Sequence, residues 1–141
     1  DAEKLADSAL MLEEFLVQEQ ENGSLEIDFS PMNRKALIHG HCHQKAFGGM
    51  GAVQSALGLI PELKVELIDS SCCGMAGSFG YEVNHYDVSM AMAELDLLPA
   101  IRDTDYQTLI VADGTSCRHQ IKDGVGREAK HVARILEMAL G

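Results

Sequence analysis

Three short apolar runs, each closed by a polar loop that carries cysteine, constrain this chain more than any other feature. Ala36-Leu37-Ile38 leads to His39-Gly40-His41-Cys42-His43, and Val65-Glu66-Leu67-Ile68 leads to Asp69-Ser70-Ser71-Cys72-Cys73-Gly74. Leu109-Ile110-Val111-Ala112 leads to Asp113-Gly114-Thr115-Ser116-Cys117-Arg118-His119. Between the runs lie segments long enough for crossover helices, residues 44–59 stopped by Pro61 and residues 83–98 stopped by Pro99. Nearly continuous apolar strands alternating with helices predict an α/β fold, a small parallel β-sheet with helices on both faces. Right-handed crossovers bring the carboxyl ends of all three strands to one edge of the sheet. Ligand sites of open α/β sheets form outside that edge. Cys42, Cys72, Cys73 and Cys117 are therefore expected to converge, the Cys72-Cys73 loop on the middle strand and the other two arriving from flanking loops.

The remaining segments read as cover for the sheet. From Ala2 to about Gln20, Leu5, Ala9, Leu12, Phe15 and Leu16 recur at helical spacing and predict one amphipathic helix. Glu21-Asn22-Gly23-Ser24 ends it, and the alternation Leu25, Ile27, Phe29 is a weak strand signal before Ser30-Pro31. Residues 128–140 place Val132, Ile135, Leu136, Ala139 and Leu140 on one helical face. The expected organisation is an N-terminal helix and connector over residues 1–34 and a single α/β domain over residues 35–141. A chain of 141 residues, 46% hydrophobic, can bury one core without staples. The start at Asp1 rather than Met leads us to expect a piece of a longer protein.

Charge removes some functions. With 22 acidic against 11 basic residues the formal charge is -11, and no Lys/Arg cluster offers a footprint for nucleic acid. No apolar run is long enough for a transmembrane segment. Without a signal for export, clustered cysteines point to metal or redox work rather than disulfides. Adjacent Cys72 and Cys73 are also poorly spaced for bridging to one another.

Thiolate is the metal-binding form of cysteine, and soft sulfur ligands select iron-sulfur clusters, zinc or copper(I). Cys42, Cys72, Cys73 and Cys117 are the candidate ligands, each expected at a helix amino end that lowers its pKa. Ligation by four cysteines is usual for a 4Fe-4S cluster, although the close CxxCxxC run is missing. His41, His43 and His119 lie near the thiols in sequence and are candidate ligands of a mixed Cys/His zinc site. Around a cluster, histidines such as His85 would instead donate hydrogen bonds to sulfur. His39, at a strand end, and His131, at the start of the last helix, are assigned to structure. Gly74, Gly77 and Gly80 lack the context of a phosphate loop, and close backbone approach to a cluster or helix packing explains them better. Met90 and Met92 are core fillers, and Tyr81, Tyr86 and Tyr106 amphipathic packing residues.

The segments 39–46 (His-Gly-His-Cys-His-Gln-Lys-Ala), 71–80 (Ser-Cys-Cys-Gly-Met-Ala-Gly-Ser-Phe-Gly) and 114–121 (Gly-Thr-Ser-Cys-Arg-His-Gln-Ile) together resemble the cysteine-rich CCG domain. That family includes the B-type component of heterodisulfide reductase, iron-sulfur components of glycolate oxidase and anaerobic glycerol-3-phosphate dehydrogenase, and the carboxyl-terminal part of fused FAD-linked oxidases. The resemblance runs from about Lys35 to the end. It implies an iron-sulfur redox module that passes electrons within a flavin-dependent dehydrogenase of 2-hydroxy acids. FAD would reside in the parent protein, and flavin and ferredoxin-like domains would be the partners. Such an oxidoreductase domain is not catalytically complete alone. The implied placement is cytoplasmic, peripheral to the inner face of the membrane through partners. The chain departs from the family pattern in having one CCG unit rather than two, and Gln120 where a final CxxC would put cysteine. Gln120 is thus a neighbour of the cofactor site rather than a ligand. A zinc-stabilised structural or interaction domain is the alternative reading.

Overall fold

The computed structural model describes residues 1–141. Its centre is an all-parallel sheet of β1 (Lys35–His39), β2 (Lys64–Leu67), β3 (Leu109–Ala112) and β4 (Ala129–Lys130), in the spatial order β2-β1-β3-β4. The three apolar runs thus form the three longer strands. Ala36 pairs with Val65 on one side and with Leu109 on the other, and Ile110 pairs with Ala129. β4, two residues long, is too short to show periodicity in the sequence. The middle of the three expected strands is β1, not the strand before the double cysteine. β2 lies at the sheet edge, where Glu66 pairs with Lys35 at 2.5 Å and charge discourages further strand addition.

Side chains on a strand alternate between faces, so each strand feeds two cores. Ala36 and Ile38 of β1 join Leu109 and Val111 of β3 on one face. There they meet Leu16 of α2 (Leu12–Glu21), Val53 and Leu57 of α4 (Met50–Leu57), and Ile135 and Leu136 of α8 (Val132–Ala139). Leu37, Ile110 and Ala112 enter the other core. It is closed by Ala93 of α5 (Tyr86–Ala93), Leu97, Leu98 and Ile101 of α6 (Leu97–Arg102), and Ile121 of α7 (Thr115–Val125). Fully buried side chains such as Ile38 and Ile110 each contribute about 2 kcal/mol by leaving water. Helices therefore cover both faces, as the alternation of strands and helices predicts.

Helix boundaries differ from expectation for local reasons. The expected N-terminal helix is two, α1 (Ala2–Ser8) and α2, separated by extended backbone at Ala9 and Met11. α1 buries no residue, and its Leu5 is 72% exposed. It therefore lacks the packed apolar face that normally sustains a short helix. Residues 25–29 form no strand; Phe29 makes only an isolated antiparallel bridge to Leu140. The first crossover divides into α3 (Cys42–Ala46) and α4 at Phe47-Gly48-Gly49, where Gly48 has φ 73°. The second divides into α5 and α6, and Pro99 does not stop it but sits third in α6. In the first turn an amide has no helical acceptor, so proline loses nothing there.

Candidate metal centre

The carboxyl ends of β1, β2 and β3 bring four free cysteines together as two close pairs. Cys42 Sγ lies 3.5 Å from Cys72 Sγ, and Cys73 Sγ lies 3.2 Å from Cys117 Sγ. The first pair faces solvent, with Cys42 exposed, whereas Cys73 and Cys117 are buried at the end of the α5–α7 core. His39 completes the inner pair: one of its ring nitrogens and both sulfurs lie within 4.8 Å of one another. Its Nδ1 is 3.0 Å from Ser70 Oγ, while the buried Nε2 has no partner of hydrogen-bond geometry. His39, assigned to structure from the sequence, thus stands beside the inner thiol pair. Strand alternation carried the missing signal, because His39 follows Leu37 by two residues and so points to the same face as Ile110, Ala112 and Cys117.

The loop carrying Cys72 and Cys73 is fixed from three sides. Lys45 Nζ of α3 donates to Ser70 O at 2.6 Å and also to Ser71 O. Buried Gln120 of α7 uses Nε2 to reach Cys73 O at 2.9 Å, Ser89 O at 3.0 Å and Ser89 Oγ at 2.9 Å. Gln120 thus braces the double cysteine through its backbone. Gly74 has φ 85°, and a Cβ there would lie 2.1 Å from Ser89 O, so only glycine lets the loop press against α5. Gly80 similarly packs on Met75 and Ser89. Helix packing accounts for both glycines.

The inner pair shares a proton unequally. Cys73 is pushed down to about 4, first because the Cys117 thiol hydrogen-bonds its thiolate, with further help from His39 and the Met75 amide against the opposing effect of burial. Cys117 is pushed up, because it keeps that proton, because it is buried, and because it faces the charges of the other three cysteines. The two sulfurs can exchange donor roles in principle; the Met75 amide and His39 favour charge on Cys73. Cys42 is also pushed up, by burial, by its hydrogen bond to Cys72 and by the charges of Cys72 and Cys73, with Lys45 opposing. A general lowering of thiol pKa by helix amino ends is therefore not found. Cys42 opens α3 and Cys117 lies in the first turn of α7, yet both are pushed up, Cys117 first by the proton it keeps toward Cys73 and Cys42 first by burial. Cys72 and Cys73 precede no helix directly; a 3-10 turn at Phe79–Tyr81 separates them from α5. Such a crowded set of sulfurs, short of positive charge, is matched to a soft cation.

The other histidines stand farther from the inner pair. His41 caps α3, its Nδ1 accepting from His43 N at 3.3 Å while Gln44 Oε1 accepts from His41 N at 3.0 Å. Exposed His43 stacks on His41 with ring centroids 5.4 Å apart. His119 is exposed, and its Nδ1 lies 2.7 Å from Tyr81 Oη. His85 stacks on Phe79 at 4.1 Å and its Nδ1 approaches Glu82 Oε2 at 3.2 Å without hydrogen-bond geometry. Lys45 is the functional neighbour the sequence did not mark: only the folded α3 shows that it spans the double-cysteine loop and acts on Cys42.

No protein-family model matches the chain, and no solved structure matches it. Curated proteins do. The chain is 28% identical over 116 residues to the C component of the anaerobic glycerol-3-phosphate dehydrogenase of Escherichia coli K12, a match that covers 81% of this chain and 28% of that protein. It is 32% identical over 98 residues to D-2-hydroxyglutarate dehydrogenase of the same strain, covering 69% of this chain and 10% of that protein. The D-2-hydroxyglutarate dehydrogenase of Pantoea ananatis is 34% identical over 73 residues, 52% of this chain and 7% of its own length. The chain thus spans under a third of the relatives it resembles, and all of these relatives are dehydrogenases or components of one.

Proposed function

We propose that this chain is a CCG-type iron-sulfur redox module that transfers electrons within a flavin-dependent dehydrogenase of 2-hydroxy acids or glycerol-3-phosphate. The observation that carries the reading is the meeting of Cys42, Cys72, Cys73 and Cys117 at one sheet edge from three separate strands. Similarity to segments of glycerol-3-phosphate and D-2-hydroxyglutarate dehydrogenases supplies the redox context. The donors fit a soft metal group: Cys73 is held well below the ordinary thiol range, first by Cys117, and His39 Nε2 is buried beside it without a partner of hydrogen-bond geometry. When bound, a cluster supplies reversible one-electron chemistry. The four cysteines would hold it. Lys45 would set the position of the double-cysteine loop, and Gln120 would keep Cys73 facing Cys117. Oxidation of the organic substrate would belong to a flavin domain elsewhere in the parent protein, with ferredoxin-like domains relaying between the two. The same reading places the module in the cytoplasm, at the membrane only through partners.

A zinc-bound structural domain is the second reading, favoured by one specific observation. His39, Cys73 and Cys117 lie within 4.8 Å of one another, a compact N/S₂ set of the kind that binds zinc. Here His39 takes the place that the sequence assigned to His43 or His119. Protein purified without oxygen, then reconstituted with iron and sulfide, separates the readings. We expect visible charge-transfer absorption with bound iron and acid-labile sulfide, lost in Cys73→Ser. A colourless protein holding one zinc after reconstitution would overturn the cluster reading.

A further inference from the structure

We propose a second, chemically distinct metal site, formed by Glu13, Asp113 and His131, that takes a divalent first-row transition cation through two carboxylates and one imidazole. One ligand atom from each residue lies within 4.8 Å of the others. The site belongs to the opposite face of the sheet from the inner thiol pair. Continuing the alternation of β3, Asp113 follows Leu109 and Val111 onto the face covered by α2 and α8, where Leu16 and Ile135 pack. Glu13 comes from the first turn of α2 and His131 immediately precedes α8.

Glu13 is the observation that asks for a cation. It is 3% exposed, in a position where a carboxylate is rarely left without a partner. Its side chain makes no hydrogen bond or ion pair with the protein, yet it points at a second carboxylate. Asp113 is held in place: Oδ2 accepts from Gln44 Nε2 at 2.6 Å and Oδ1 accepts from Val132 N at 2.9 Å. His131 Nδ1 stands 3.7 Å from Asp113 Oδ1 and accepts from Ala133 N at 3.1 Å. Nδ1 has a single lone pair, which accepts from Ala133 N, so the ring as placed adds no proton toward the two carboxylates, and a cation would take that lone pair in exchange for the cap of α8. No lysine or arginine makes an ion pair with either one. Oxygen-rich ligands with one imidazole suit manganese, iron(II) or zinc, unlike the thiolates on the other face. Gln44 would orient the Asp113 ligand as outer hydrogen-bond partners of metal sites do. A cation there would tie α2 to the turn between β3 and α7, the turn that delivers Cys117.

Manganese(II) is the discriminating probe, because it prefers oxygen and nitrogen to thiolate. We expect the full chain, kept reduced and freed of metal, to bind one manganese ion, read as loss of the free-ion electron paramagnetic resonance signal. Glu13→Gln, nearly isosteric, should weaken binding at least tenfold. His131→Asn keeps an acceptor able to cap α8 and should weaken it similarly. Cys73→Ser should leave it unchanged, so failure of the thiol reading would not touch this one. Absence of stoichiometric binding at millimolar manganese, or binding that survives both Glu13→Gln and His131→Asn in folded protein, would overturn the proposal.

Discussion

Removing Cys73 should change how the stability of the metal-free chain depends on pH, and the sign follows from the thiol pair. Cys73 falls from an ordinary 9.0 to about 4 in the folded protein. Between those values the unfolded chain carries a proton on Cys73 that the folded chain lacks, so stability rises with pH and is lost as pH falls through about 4. One proton corresponds to a slope of about 1.4 kcal/mol per pH unit. Cys117 has the opposite sign: held up in the fold, it contributes stability below its unfolded pKa that is lost as pH rises above it. The pair's own contribution to stability is therefore greatest near pH 9, where the unfolded thiols titrate. The assay is urea unfolding from about pH 5 to about pH 8.5 with strong reductant and chelator, comparing wild type with Cys73→Ala. The variant will be less stable throughout because a buried side chain is gone, but the slopes decide. Other titrating groups are common to both proteins, so the wild-type curve should be steeper by about 1.4 kcal/mol per pH unit. Thiolate absorbance in the ultraviolet near pH 6 should show one cysteine ionised in wild type and none in Cys73→Ala. Parallel slopes together with no thiolate at that pH would refute the shared-proton description of Cys73 and Cys117.

Other expectations follow from the same contacts. Gly74→Ala forces a Cβ against Ser89 O at a backbone angle that only glycine adopts freely, and should cost about 3 kcal/mol or more in urea unfolding; a loss below about 0.5 kcal/mol would contradict the placement of the loop. Gln120→Ala strips the buried Cys73 and Ser89 carbonyls of their donor and should destabilise by about 2 kcal/mol, with reduced affinity for any metal held by Cys73. Lys45→Met removes the cation that opposes the upward push on Cys42, so Cys42 should react more slowly with an aromatic disulfide at mildly alkaline pH. Faster modification would show that Lys45 acts mainly by shielding.

The sequence reveals what depends on period and topology. Apolar runs such as Ala36-Leu37-Ile38 and Leu109-Ile110-Val111-Ala112 can only be strands buried on both faces, and parallel connections then place Cys42, Cys73 and Cys117 at one edge. Which strand lies in the middle is a different matter. The order β2-β1-β3-β4 is decided by packing between distant segments, and no local signal separates it from an order with β2 central. Helix breaks are equally hidden: Pro99 reads as a stop, but its cost depends on whether it falls in the first turn of α6. Side-chain contacts across the site are also illegible in the sequence. Lys45 reaches Ser70, and Tyr81 reaches His119, only after the chain has folded back on itself.

Strand alternation gives the residues at the sheet edge their chemistry, and it separates them more finely than sequence proximity does. His39 and His41 are two residues apart, yet His39 is sealed against Cys73 and Cys117 while His41 caps α3 beside Gly114. Gly114 stands at the divide: a Cβ there would come within 2.8 Å of the His41 ring and 2.9 Å of Cys117 Sγ. On one side of it the donors are sulfur, crowded, with Cys117 and Cys42 held up by hydrogen bonds between thiols, by burial and by the charge of neighbouring cysteines, against which only Lys45 acts on Cys42. Across it, Asp113 turns to Glu13 and His131, where the donors are oxygen and one nitrogen. A side chain at position 114 would press on the His41 ring and on Cys117 Sγ. Gly114→Ala should therefore disturb the Cys73–Cys117 pair through Cys117 and the α3 cap through His41, and a variant with unchanged stability and unchanged thiol reactivity would show that the turn is not packed against these two side chains.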